Sequence, residues 1–144
     1  MKKTMKKALA IILCLLIVVT TVPMTMASAS NIITDEASLK EALETGGEYV
    51  LGNDIAIEYS VYHSNDVTTV IDLDGYKIGD TPWGITVSAG DLTIYGGKLN
   101  EVIPITYSGS LTVKDVTIDA IGSAATQNSG GMLTLENVTV NGPY

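Results

Sequence analysis

Arginine and phenylalanine are absent from these 144 residues, and cysteine, histidine and tryptophan occur once each. The single cysteine, Cys14, excludes an internal disulfide framework, so stability has to come from packing and backbone pairing. Positive charge is almost as scarce. Of the eight lysines, Lys2, Lys3, Lys6 and Lys7 precede an apolar run inside the first thirty residues. From Ser30 to Tyr144 only Lys40, Lys77, Lys98 and Lys114 oppose sixteen acids, a formal charge of −12. Such a balance argues against a nucleic-acid or anionic-membrane binder. The length bounds the rest to one small domain.

The hydrophobicity of the chain is concentrated at its amino terminus. Met1 to Lys7 is a basic segment, Ala8 to Val22 is apolar, and Ala27-Ser28-Ala29 supplies the small-x-small site of a signal peptidase. Residues 1–29 therefore read as a secretory signal peptide, with export starting at Ser30. An uncleaved anchor is the alternative, but the apolar run is shorter than the ~20 residues of a spanning helix and Pro23 comes directly after it. Cys14 lies in the middle of the apolar run, not at a lipoprotein junction. After cleavage no membrane span is expected.

A repeat of about twenty residues organises the remainder of the chain. Gly90-Asp-Leu-Thr-Ile-Tyr-Gly-Gly-Lys-Leu-Asn100, Gly109-Ser-Leu-Thr-Val-Lys-Asp-Val-Thr-Ile-Asp119 and Gly130-Gly-Met-Leu-Thr-Leu-Glu-Asn-Val-Thr-Val-Asn141 align, and Val70 to Gly79 carries the same alternation. The alignment places Ile71, Leu92, Leu111 and Leu133 at one position, with separations of 21, 19 and 22. Apolar residues at period two mean strands. Ile71/Leu73, Leu92/Ile94, Leu111/Val113 and Leu133/Leu135 are expected to point inward, as are Tyr76/Ile78, Gly97/Leu99, Val116/Ile118 and Val138/Val140. Between them stand Gly75, Gly96, Asp115 and Asn137, types that tolerate a left-handed bend. A third strand is predicted around Ile85–Val87 and Ile105–Tyr107. Stacked in parallel ~4.8 Å apart, such coils pair every backbone group with its neighbours and bury what one unit cannot.

Residues 30–57 read as an N-terminal cap: a helix over about 35–44, with Leu39, Ala42 and Leu43 on one face and a capping-box spacing from Ser38 to Glu41, then an imperfect first coil. Residues 58–144 are the coils. After Val140 only Asn141 to Tyr144 remain, so the last coil is predicted to be uncapped, which suggests self-association through it or a longer native chain.

The coil period of about 22, the Asn or Asp at the bend, and the capping helix followed by Gly46-Gly47-x-x-x-Leu51 resemble the right-handed parallel β-helix proteins of the pectate-lyase-like superfamily. The expected fold class is all-β, a right-handed parallel β-helix with a short capping helix. The competing fold is a leucine-rich repeat, because Leu133-Thr-Leu-Glu-Asn137 mimics its core; a second apolar triplet directly after the bend argues against it. The resemblance implies polysaccharide lyases, glycoside hydrolases, adhesins or non-catalytic surface domains, so fold alone does not choose the function. Lyases of that family pair calcium-binding acids with an arginine base, and this chain has no arginine. Lys77 and Lys98 share an outward row with Thr117 and Thr139. Asp72 and Asp74 are expected to face Thr93 and Tyr95 on the next coil, where hydrolases of the family need further aspartates.

No catalytic residue is therefore assigned and no cofactor is required. Asp66, Asp72, Asp74 and Asp80 fall near one coil and are the candidate calcium ligands, against the simpler reading of a solvated acidic surface. Tyr59, Tyr62, His63 and Trp83, in a polar aromatic stretch, are the candidate carbohydrate ligands. Asn137-Val-Thr139 matches a glycosylation sequon, but the repeat already demands those residues. The expected function is a secreted or cell-surface module, non-catalytic, adhesive or carbohydrate-interacting, with an extracellular polysaccharide or surface protein as partner. The alternative is a polysaccharide lyase or glycoside hydrolase, or a fragment of one.

Overall fold

The computed structural model describes residues 31–120 and 126–142; the expected signal peptide lies outside them. In chain order the elements are β1 (Asn31–Ile33), α1 (Glu36–Thr45), β2 (Gly47–Leu51), β3 (Ile55–Ala56), β4 (Val61–His63), β5 (Thr68–Asp72), β6 (Lys77–Gly79) and β7 (Gly84–Val87). They continue with β8 (Asp91–Tyr95), β9 (Lys98–Asn100), β10 (Ile103–Thr106), β11 (Ser110–Lys114), β12 (Thr117–Asp119), β13 (Gln127–Asn128), β14 (Met132–Glu136) and β15 (Thr139–Asn141). Every pairing is parallel. The first sheet runs β1-β2-β5-β8-β11-β14, the second β3-β6-β9-β12-β15, and the third β4-β7-β10-β13. Since the chain returns to the same sheet once per circuit, the architecture is a parallel β-solenoid. Among the described residues the segment between successive coils is strand rather than outer helix, which removes the leucine-rich repeat. No helix among them is long and apolar enough to cross a membrane.

The interior is built from side chains that repeat one coil apart. The first sheet contributes Ile71, Ile94 and Val113, the second Ile55, Ile78, Leu99 and Ile118, and the third Val61, Ile85 and Val87, all essentially inaccessible. Each strand pairs with both neighbours, so backbone groups and apolar side chains are satisfied by the same stacking. In the last coil the rows open: Leu135 is 45% and Val140 50% exposed, where Val113 and Ile118 one coil earlier are 0%.

One coil departs from the sequence alignment. Leu92 lies opposite Thr69, not Ile71, and Ile71 lies opposite Ile94. The corner after β5 holds four residues, Leu73 to Tyr76, where the corners after β8, β11 and β14 hold two. Slipping a strand by two residues keeps every side chain on its own face, so apolar periodicity is blind to it. Leu73 fills the inward position at this wider corner and is fully buried, while Tyr76, expected inward, is 37% exposed. Gly97 on the next coil makes room: a Cβ there would stand 2.5 Å from Leu73 Cβ and 2.4 Å from the Tyr76 carbonyl oxygen. The outward rows move too. Asp72 shares its row with Tyr95, Lys114 and Glu136, Val70 with Thr93, Thr112 and Thr134, and Asp74 drops into the corner with φ of +46°. The bend residues Gly75, Gly96, Asp115 and Asn137 all have positive φ, as expected.

The helix differs from expectation only at its start. Its N-cap is Asp35, whose carboxylate accepts the Ser38 N–H at 2.7 Å while Ser38 Oγ accepts the Asp35 N–H at 3.1 Å. Asp-x-x-Ser thus forms the reciprocal cap one turn ahead of the predicted Ser38–Glu41 spacing. Leu39, Ala42 and Leu43 cover the end of the core, and Gly46, with φ of +73°, ends the helix. Glu36 ties this cap to the coils, accepting the Glu58 N–H at 2.7 Å.

Candidate aromatic corner

The candidate ligand residues separate onto two sides of one strand. In β4 the alternation turns Val61 and His63 inward and Tyr62 outward, leaving His63 0% and Tyr62 57% exposed. His63, expected in an exposed polar loop, is instead an interior residue. Its Nδ1 lies 2.8 Å from the Ala89 carbonyl oxygen and its Nε2 3.0 Å from Thr69 Oγ1. A carbonyl only accepts, so Nδ1 donates to Ala89, while Nε2 shares a hydrogen bond with the Thr69 hydroxyl, which also reaches the Ala42 carbonyl at 3.5 Å. Both nitrogens are thereby satisfied inside the solenoid, and His63 cannot touch a ligand at the surface.

Tyr59 and Trp83 do come together. Val61 pairs with Ile85, so the residues two positions earlier stand at the same corner of consecutive coils. Their ring centroids are 6.0 Å apart at an interplanar angle of 43°, within the range of attractive aromatic pairs. Both remain solvent-facing, Tyr59 60% and Trp83 41% exposed. The corner is held from below: Ser60 Oγ accepts the Gly84 N–H at 3.2 Å, the Trp83 N–H closes a tight turn onto the Thr81 carbonyl at 2.7 Å, and Thr81 Oγ1 donates to the Ile57 carbonyl. Tyr62 stands close by on the outer side of the third sheet. Two exposed rings in contact with a third nearby form a surface that can stack on the apolar face of a sugar.

The four candidate calcium ligands are spread over three corners. Asp66 lies between β4 and β5, Asp72 and Asp74 at the end of β5, and Asp80 between β6 and β7. Asp72 accepts the Asp74 N–H at 2.9 Å. Tyr95 beside it is pushed above the usual phenol range by burial first and by the Asp72 charge second. Asp80 is occupied by Lys77 Nζ, at 2.8 and 3.0 Å, and by Asn100 Nδ2 at 2.8 Å. The Lys77 hydrogen bond, then that of Asn100, holds this carboxyl below the usual range. Among the described residues no three His, Cys, Asp or Glu side chains converge as a metal centre requires.

Lys77 and Lys98 share the outward row with Thr117 and Thr139 that the repeat predicts. Their partners were not foreseen. Lys77 pairs with Asp80, just past β6, while the neighbouring row, Gly79, Asn100, Asp119 and Asn141, supplies the partner of Lys98: it pairs with Asp119, and Asn141 Nδ2 donates to Asp119 Oδ1 at 3.0 Å. Both rows are visible in the aligned repeats, where Asn100, Asp119 and Asn141 each come directly after an inward aliphatic residue. Sequence reasoning also passed over Ile105, which the register places on the same outer face as Tyr62, and the exposed Tyr107 two positions beyond it. Compared with protein-family models, with curated proteins and with solved structures, the chain matches none.

Proposed function

We propose that this chain is a non-catalytic, exported β-helix module of the pectate-lyase-like kind that holds carbohydrate at the Tyr59–Trp83 corner. The observation that carries the reading is the pair of exposed, touching rings on a corner fixed by three hydrogen bonds. Exposed aromatic surface on a rigid frame is ready to bind, because little side-chain freedom is lost when a ligand stacks on it. Export is supported by the basic, apolar and small-x-small succession of residues 1–29. The pectate-lyase-like assignment rests on the period, the bend residues and the capping helix.

Affinity electrophoresis of the purified protein through gels containing a panel of polysaccharides tests it. At least one polymer should retard the protein, and the double variant Tyr59→Ala/Trp83→Ala should weaken that retardation at least tenfold with an unchanged melting temperature. Retardation that survives the double substitution, or turnover of the polymer, overturns the reading.

A further inference from the structure

Charge avoids one face of the molecule. Of the sixteen acids and four lysines beyond residue 30, none falls in 59–64, 83–88, 102–107 or 126–128, the segments that contain the strands of the third sheet. The other two sheets carry Asp72, Lys114 and Glu136, or Lys77, Lys98 and Asp119, on their outer rows. On a domain of formal charge −12, a face free of charge through every described coil is a feature that solubility does not ask for.

What stands there is aromatic, aliphatic and hydroxylic. Tyr62, Thr86, Ile105 and Gln127 form one row, a residue per coil. Thr86 is almost covered between Tyr62 and Ile105, and Ile105 lies over Gly84, where a Cβ would come 2.6 Å from its Cδ1. Tyr107 adds a ring 52% exposed beyond β10. The aromatic corner flanks this strip at its first two coils, where β4 and β7 begin.

We propose that the whole outer face of the third sheet is a docking strip for an uncharged glycan lying along the solenoid axis, an extension that rests on the carbohydrate reading of the Tyr59–Trp83 corner. Rings and an aliphatic surface match the apolar faces of pyranoses, and the exposed Tyr62 and Tyr107 phenols and the Gln127 amide can bond their hydroxyl groups. A polyuronate or sulfated chain finds no cation here and is repelled by the acidic body; a polycation finds its counter-charges on other faces. Coils repeat every ~4.8 Å, close to the length of one sugar unit, so the strip advances one row position per unit of a polymer lying along it. A peptide strand cannot add across this face, because β7 and β10 are already paired on both sides and only the edge strands β4 and β13, at the two ends of the sheet, have a free side. A second copy needs ~800 Å² of surface from each partner, whereas four strands of two to four residues span on the order of 200 Å².

The test uses hydroxyethylcellulose as the neutral probe and polygalacturonate as the anionic one, in affinity gels at low and high salt. The neutral polymer should retard the protein equally at both salt concentrations, and polygalacturonate should not. Tyr107→Ala and Ile105→Lys should each weaken binding about tenfold, with melting temperatures unchanged for Tyr107→Ala. If Tyr59→Ala/Trp83→Ala abolishes binding but Tyr107→Ala and Ile105→Lys leave it intact, the corner stands and the strip is overturned. If only the latter two abolish it, the strip stands and the corner reading fails. No retardation by the neutral polymer, or retardation by polygalacturonate alone, overturns the strip. A dimer in light scattering that Ile105→Lys dissolves identifies a second copy as the occupant and also overturns it.

Discussion

The outer rows of the second sheet carry Lys77, Lys98, Asn100, Asp119 and Asn141, tied across coils through Asp80 and Asp119, whereas the outer rows of the third carry Tyr62, Thr86, Ile105 and Gln127 without a charge among them. Behind both faces the same parallel pairing stacks the coils, so neither outward pattern is needed to hold the strands together. The inner rows invert the contrast. Behind the ion-laced face stand only Ile55, Ile78, Leu99, Ile118 and Val140, while behind the neutral face one row includes His63 and Thr106. Exposed ion pairs add little stability, typically under ~1 kcal/mol each, and serve mainly to keep a face solvated. The third face gives up that service, which is why we assign its residues to binding rather than to folding.

The largest test of the contrast uses the same substitution on each face. Gly79, in the second sheet with φ of +148°, has the Asn100 carbonyl oxygen 1.8 Å from where a Cβ would stand. Backbone cannot yield there, so Gly79→Ala should remove about 4 kcal/mol or more, enough to prevent folding of a small solenoid. Gly84 in the third sheet meets chiefly the Cδ1 of Ile105, the free end of a side chain. Gly84→Ala should therefore lose only about 1 kcal/mol in urea unfolding while tilting Ile105 and weakening glycan retention. Equal damage at both positions would break the contrast.

The wide corner after β5 sets the second test and also shows what a sequence can display. Solenoid architecture, bend residues, capping helix and the inward row Ile78, Leu99, Ile118 were all legible, because period two and a regular coil length are written into single residues. The register of β5 was not, since a slip of two residues preserves the face of every side chain. Its only trace is the pair Leu73 and Gly97, a large residue opposite a missing one, which has meaning only once the coils are stacked. His63 was misplaced for a related reason: serine and asparagine around it suggest a loop, yet the partners that make it an interior residue, Thr69 and Ala89, lie 6 and 26 positions away. The neutral strip needed no distance at all to be noticed, only the third strand of each coil read as a set. Leu73→Ala should cost about 3 kcal/mol, as for a fully buried leucine, while Tyr76→Ala should change stability by under about 1 kcal/mol. The unshifted register predicts the reverse at Tyr76, so urea melts of the two variants decide between them.

The interior of the third sheet provides a smaller effect of opposite sign. Thr106 Oγ1 is buried without a hydrogen-bond partner among the described residues, on the same inward row where His63 is fully bonded. A buried hydroxyl left unpaired is unfavourable, and valine keeps its shape. Thr106→Val should stabilise the protein by about 1 kcal/mol, whereas Thr69→Val, which leaves His63 Nε2 unpaired, should destabilise it by at least as much. Thermal melts that show a loss at Thr106 would mean that its hydroxyl is bonded in solution.

The smallest effect separates the two faces by pH. Asp119 is held below its ordinary value of 3.8 by the Lys98 hydrogen bond first and by Asn141 second, and Asp80 likewise by Lys77 and then Asn100. A carboxyl whose folded pKa lies below its unfolded one contributes stability that is fully present above the unfolded value and disappears as pH falls through the folded one. Melting temperature should therefore be flat from about pH 7 to 5 and decline below about pH 4, modestly because both groups are exposed and screened by salt. Asp119→Asn should flatten part of that decline. Glycan binding should not track it, since the outer side of the third sheet carries no acid, lysine or histidine to titrate in that window. Affinity gels run at pH 7 and at pH 4, where the protein is still folded by its melt, should give the same retardation. Retardation that falls in step with the carboxyl titration would place the ligand on the ion-laced face instead, and the contrast between the two faces would then have been drawn the wrong way round.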